Sequence, residues 1–126
     1  MRKEVERCRP DEGCGLVAGA GGQSVKEYPV ENILHSPVRF RMDPAQQVKA
    51  MLEIESAGWE LIAIYHSHPA GPAVPSLTDL REHADPQAAA LIWTLKEGDW
   101  SSRAYILSPE GYRELRIAIP TGPASS

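Results

Sequence analysis

His66 and His68 stand two positions apart at the end of an apolar run, Leu61-Ile62-Ala63-Ile64-Tyr65-His66-Ser67-His68-Pro69. Successive side chains of an extended strand leave opposite faces, so both imidazoles leave the same one. They can then converge on a single ion, with zinc–nitrogen distances of about 2.0–2.1 Å. Ser67 points the other way and is not expected to be a ligand. The apolar residues ahead of the pair give it a rigid, dry platform. A third ligand has to come from outside the strand, and Asp79 is the best candidate. Two histidines and one carboxylate leave a zinc ion a fourth position for water, the pattern of a catalytic site. Such a water loses its proton near a pKa of about 7. Glu12, far upstream, is an acid that could serve as the general base.

Each of these residues also has a plainer reading. A His-x-His pair in a strand is a modest signal taken alone. Ser76-Leu77-Thr78-Asp79 reads as a capping box, with serine at the N-cap and an acid three positions on. Asp79 can serve both roles, anchored by the helix start while its carboxylate faces an ion. Glu12 in Pro10-Asp11-Glu12-Gly13 could be a surface acid in a turn.

The elements that must position these groups follow from pattern. Residues 1–9 read as a short helix stopped by Pro10. Residues 13–19 read as a buried strand whose small side chains let a neighbour approach its backbone closely. Residues 19–22 form a glycine-rich turn, and residues 24–30 return as a strand placed at an edge or end by Pro29. Residues 37–42 alternate apolar and charged side chains, which predicts a half-buried strand. Asp43-Pro44 reads as an N-cap followed by proline at the first helical position, opening a helix to about residue 57, stopped by Gly58. Its apolar stripe is taken as Val48, Met51 and Leu52. Residues 59–65 form an apolar, central strand. A helix over residues 76–84 is expected, then strands over 88–95, 102–107 and 112–119, with turns at 97–99 and 108–111. The sum is an α/β fold, a mixed sheet with two or three helices, in one domain over residues 1–120 with a loose tail at 121–126.

Composition bounds the function classes. The chain has 126 residues, 42% hydrophobic and 24% charged, as in an ordinary globular domain. A formal charge of −4 with scattered Lys and Arg argues against nucleic-acid and membrane-surface binding. No run of about 18 apolar residues predicts a membrane span. The N-terminus lacks the apolar core of a signal peptide, so a cytoplasmic location is the default. Cys8 and Cys14 do not form a C-x-x-C pair and are expected to be reduced thiols.

Together, Glu12, His66-Ser67-His68-Pro69 and Ser76-Leu77-Thr78-Asp79 resemble the signature of the JAMM, or MPN-plus, metalloprotease family. That signature is a glutamate, then His-Ser/Thr-His-Pro, then serine, two residues and aspartate. Pro10-Asp11-Glu12-Gly13-Cys14-Gly15-Leu16-Val17-Ala18-Gly19 is similar to the stretch found in the compact prokaryotic branch, as are residues 29–32 and 40–44. The resemblance implies a cytidine-deaminase-like fold, a mixed sheet sandwiched by helices. It implies one zinc ion per chain on His66, His68 and Asp79. It implies Glu12 as the base that activates the zinc-bound water, and Ser76 as hydrogen-bond donor to the developing oxyanion. The substrates it implies are ubiquitin-like or sulfur-carrier proteins ending in Gly-Gly, cut after the diglycine. Family members usually carry a strand and a longer helix ahead of the glutamate, whereas eleven residues precede Glu12 here, so either this start is internal to the natural reading frame or the fold tolerates losing its first elements. Linkage-specific cleavage of ubiquitin chains is not expected.

The remaining candidates have plain readings. His35 is expected to be a solvated loop histidine, and His83 a helix C-terminal one. Cys14 shares a face with Glu12 but suffices as a small buried residue. Trp59, Trp93 and Trp100 are expected in the core or at sheet edges. A diglycine tail could add to a sheet edge near residues 24–30 or dock on residues 38–42. The alternative function is a non-catalytic MPN-type interaction scaffold, from which an intact ligand set discriminates. A zinc deaminase would carry H-x-E and P-C-x-x-C signatures, and neither is present.

Overall fold

A computed structural model describes residues 1–72, 74–76, 79, 88–108 and 110–116. Among them the elements run α1 (Arg2–Cys8), β1 (Cys14–Ala20), β2 (Gln23–Val30), α2 (Pro44–Ser56), β3 (Glu60–His68), β4 (Ala89–Lys96), β5 (Asp99–Ser108) and β6 (Gly111–Leu115). The strands form one sheet in the order β2-β1-β3-β4-β5-β6. Only β3 and β4 pair in parallel, so the sheet is mixed. The expected α/β architecture is therefore the observed one, with the residue 24–30 strand at an edge and the histidine strand inside the sheet.

The two helices cover opposite faces. Val5 of α1 packs with Val17, Ala63, Tyr65 and Trp100. Ala50 of α2 packs with Cys14, Leu16, Val30 and Met42. Consecutive residues Leu16 and Val17 enter different clusters because strand side chains alternate. The small residues of β1 have the expected reason: a β-carbon on Gly15 would run into the Tyr65 ring and come within 2.5 Å of the Tyr28 carbonyl oxygen. At the β1–β2 hairpin, Gly21 and Gly22 both take positive φ, 59° and 80°, the backbone of a two-residue type I′ turn.

Four expectations need correction. Residues 37–42 are not a strand; beyond the single Asn32–Met42 bridge they form a loop, and Val38 is 75% exposed. Their main-chain groups bond inward instead, as with the Ile33 amide on the Arg41 carbonyl. The α2 stripe is also different. Asp43 caps the helix as expected, accepting from the Ala45 and Gln46 amides. However, Val48 and Leu52 are each 59% exposed, and Ala50 and Ile54 are buried. A rotation of about 140° around the helix axis separates these faces, and packing onto β1 and β3 took the one that carries Ala50 and Ile54. Strand β5 begins at Asp99 because Glu97-Gly98 closes its hairpin in two residues, both at positive φ. Strand β6 ends at Leu115, with residues 117–119 outside the described residues.

Most of the helix expected over residues 76–84, with His83, also lies outside them, as do the domain end near residue 120 and the 121–126 tail. Cys8 and Cys14 are free thiols. His35 is largely exposed, Trp100 is buried and Trp93 packs against the α1-side core. No helix among the described residues is long and apolar enough to cross a membrane.

Candidate metal centre

Strand β3 carries His66 and His68 at its C-terminal end, on the face that α2 covers. The two Nε2 atoms approach to 3.0 Å. Asp79 closes the group: one carboxylate oxygen lies 3.2 Å from His66 Nε2, the other 3.3 Å from His68 Nε2. All three side chains are buried. The His68 Nδ1 sits 2.9 Å from the Pro72 carbonyl, which can only accept, so Nδ1 carries a proton; protonated, the ring also donates through Nε2 to Asp79, and neutral, it would turn a bare Nε2 lone pair to the centre. A lone pair aimed at a carboxylate is repulsive unless a cation or proton lies between them. Two ligands each about 2.05 Å from a tetrahedral ion are about 3.3 Å apart. The observed separations fit that arrangement, so the residues present suit a zinc-sized ion.

Glu12 reaches the same place from the segment before β1. Its ligand oxygen and the two histidine nitrogens all lie within 4.8 Å of one another. The geometry thus offers two overlapping ligand sets, Asp79 with the histidine pair or Glu12 with it. Glu12 is only 4% exposed, so the plain reading as a surface acid fails. Burial pushes its carboxyl up to about 8, opposed by the nearby His68 and assisted by the Asp79 charge. Burial would raise Asp79 as well, but hydrogen bonds from His66 and His68, with the Ser76 amide, hold it well below the usual carboxylate range. Burial lowers the His68 imidazolium, yet Asp79 and the Pro72 carbonyl outweigh it and the net direction is upward. A bound cation would reverse much of this, drawing Glu12 back toward its ionised form.

Ser76 and Asp79 make the capping box in full. The Ser76 amide donates to Asp79 Oδ2 at 2.8 Å, and Ser76 Oγ accepts from the Asp79 amide at 3.0 Å. A hydroxyl that accepts one bond still has its proton to give, and Ser76 is exposed, so cap and donor roles are compatible. Cys14 pairs with His66 across β1 and β3, but its thiol donates to the Val30 carbonyl at 3.3 Å. It is a buried small residue, as the plain reading has it.

Three supporting residues are not ligands, although each lies in a stretch that resembles the family. Ser67 does face away from the centre, where its Oγ accepts from the Gly13 amide at 2.7 Å. With the Ser67 amide on the Gly13 carbonyl at 3.0 Å, it clamps the residue after Glu12 to the histidine strand. Phe40 stacks on the His66 ring, with centroids 4.6 Å apart. Asn32 bonds the Glu12 carbonyl through its side chain. Strand alternation already turns Ser67 away from the ion, and Asn32 has a local cue of its own, since asparagine readily accepts from an amide two residues on, here Leu34.

A mixed sheet with a histidine pair, an aspartate and a buried glutamate at one strand end is the frame of a JAB-type domain. The family described as prokaryotic homologs of the JAB domain matches residues 1–106, and the chain belongs to it. Its relatives include a desampylase of Pyrococcus furiosus, 34% identical over 109 residues, covering 86% of this chain and 76% of the relative. The CysO-cysteine peptidase of Mycobacterium tuberculosis is 38% identical over 90 residues, 70% of this chain and 62% of its own length. A probable TtuB-protein conjugate cleaving protease of Thermus thermophilus is 42% identical over 82 residues, 64% of this chain and 55% of its own. These named relatives are hydrolases. A solution structure from Desulfitobacterium hafniense superposes with a TM-score of 0.80 at 32% identity, covering 92% of this chain and 83% of that one.

Proposed function

We propose that this protein is a zinc-dependent isopeptidase or peptidase that cleaves the amide bond after the C-terminal Gly-Gly of a ubiquitin-like or sulfur-carrier protein, in the cytoplasm. The observation that carries the reading is the convergence of the His66 and His68 Nε2 atoms on both oxygens of Asp79, with the buried Glu12 beside them. His66, His68 and Asp79 would hold the ion. Asp79 is favoured over Glu12 as ligand because each of its oxygens already faces one imidazole nitrogen at ligand–ligand spacing. When bound, a divalent ion there supplies Lewis-acid polarisation and an acidified water.

The remaining steps belong to the chain. Glu12 accepts a proton from the attacking water and later returns it to the leaving amine. Burial raises this carboxyl and a bound cation would lower it again, and the balance suits Glu12 to take a proton and give it back. The Ser76 hydroxyl donates to the developing oxyanion. Pro72 and Phe40 fix the two imidazole rings. The loop over residues 38–42 is the favoured dock for the diglycine tail because it carries Phe40 onto His66, and glycine alone offers a chain thin enough to lie against it.

The test is a Glu12→Gln variant assayed on a ubiquitin-like protein extended beyond its diglycine. Zinc should stay near one per chain while cleavage collapses. Replacing the substrate's penultimate glycine by leucine should abolish cleavage by the wild-type enzyme. Full activity of the variant would remove Glu12 from the mechanism. A protein that binds the substrate and never cuts it would be the scaffold instead.

A further inference from the structure

Asn32 is buried and bonds four main-chain groups with one side chain. Its Nδ2 donates to the carbonyls of Glu12 at 3.1 Å and Arg39 at 3.0 Å. Its Oδ1 accepts from the amides of Leu34 at 3.1 Å and Arg41 at 3.0 Å. A primary amide has two donors and one oxygen with two lone pairs, so its capacity is filled. Two carbonyls on one side and two amides on the other admit a single orientation.

The loop that Asn32 closes also grips Glu12 by its other main-chain group. The Glu12 amide donates to the Ser36 carbonyl at 2.8 Å. The loop is sealed by the Asn32–Met42 bridge and by the Ile33 amide on the Arg41 carbonyl at 2.9 Å. It carries Phe40, whose ring lies nearly parallel to His66 at an interplanar angle of 22°. Glu12 itself precedes β1, so no strand ladder fixes it.

We infer that Asn32 is a positioning residue for Glu12, the element through which the 32–42 loop sets the carboxylate of Glu12 against the histidine pair. The inference rests on the peptidase reading and adds to it the group that places the base. Displacing a reacting group by about 1 Å can cost about 100-fold in rate. Losing the Asn32 donors frees the Glu12 carbonyl and leaves the carboxylate attached to a looser main chain.

The test compares Asn32→Asp and Asn32→Ala in the zinc-loaded full chain. Aspartate keeps the acceptor for Leu34 and Arg41 and loses the donors to Glu12 and Arg39, so the loop keeps its Leu34, Arg41 and Ile33 bonds while the Glu12 carbonyl is released. Both variants should lose about 100-fold in kcat with KM and zinc content unchanged. Adding Glu12→Gln to Asn32→Asp should lower the rate no further than Glu12→Gln alone, since the two act as one unit. Amide exchange gives a readout independent of activity. In the wild type, Glu12, Leu34 and Arg41 should be protected like strand amides; in Asn32→Asp, Leu34 and Arg41 should stay protected while Glu12, still bonded to Ser36 but no longer held at its carbonyl, should exchange faster. Wild-type kcat in Asn32→Asp, or rapid Glu12 exchange in the wild type, would overturn the inference. If neither variant folds, the wild-type exchange pattern decides. A wild-type enzyme that cleaves no diglycine amide, yet shows the expected exchange pattern, counts against the peptidase reading alone.

Discussion

Successive residues of β3 enter two regions that share one backbone. Tyr65 turns into the cluster with Val5, Val17, Ala63 and Trp100. His66 turns the other way, onto Phe40, His68 and Asp79. Both side chains are buried, yet burial acts on them with opposite sign. On the Tyr65 side, removing apolar surface from water is the stabilising term, about 25 cal/mol per Å². On the His66 side it strips water from groups that carry charge or lone pairs, which costs free energy unless a partner or cation replaces that water. One face therefore provides the rigidity that lets the other hold converging polar groups.

Breaking the polar side should give the largest functional effect. Asp79→Ala removes the carboxylate that faces both imidazoles. Metal affinity should fall by well over about 100-fold, since even groups outside the ligand set cost about 10–100-fold. Zinc per chain after dialysis against a competing chelator, with the cleavage rate, checks this. Breaking the apolar side should act on stability instead. Tyr65→Ala should cost about 3–5 kcal/mol in denaturant unfolding. Tyr65→Phe should stabilise by about 1 kcal/mol, because the buried hydroxyl has no hydrogen-bond partner among the described residues.

A third effect should appear only when metal is stripped. The Glu12 carboxyl sits at about 8 in the folded chain, against an ordinary 4.5. The folded state therefore holds this proton more tightly than the unfolded chain does. That contribution is fully present below the unfolded value and is lost as pH rises towards the folded one. Chelator-treated wild type should thus lose stability between about pH 5 and pH 8, by on the order of a few kcal/mol. Glu12→Gln should lack most of that slope, and thermal unfolding at both pH values measures it. The smallest effect belongs to neither face. Val48→Lys, on the exposed side of α2, should change stability by less than about 0.5 kcal/mol.

The same contrast explains what could be read ahead of the coordinates. The alternation that sends His66 and His68 to one face is local, as are the capping box of Ser76 and Asp79 and the Asp43-Pro44 helix start. All three appear in the structure as their residue types imply. The 37–42 segment misled because its alternating pattern fits a strand equally well. Asn32 and its bonds to Leu34, Arg39 and Arg41 took those main-chain groups first. The buried side of α2 misled because Val48, Met51 and Leu52 form one helical stripe, whereas contact with the sheet admitted Ala50 and Ile54.

What the sequence determined by itself was the chemistry available, namely which side chains could ligate, cap or exchange a proton. Spacing of two, three or four residues reports on neighbours along a strand or one helical turn. What only the tertiary structure decided was convergence. The Gly13 amide meets the Ser67 hydroxyl across 54 positions of chain, and Asn32 meets the Glu12 carbonyl across 20. Such meetings depend on sheet order, loop closure and close packing, which no local period encodes, so the burial of Glu12 beside the histidine pair emerges only when the whole chain folds.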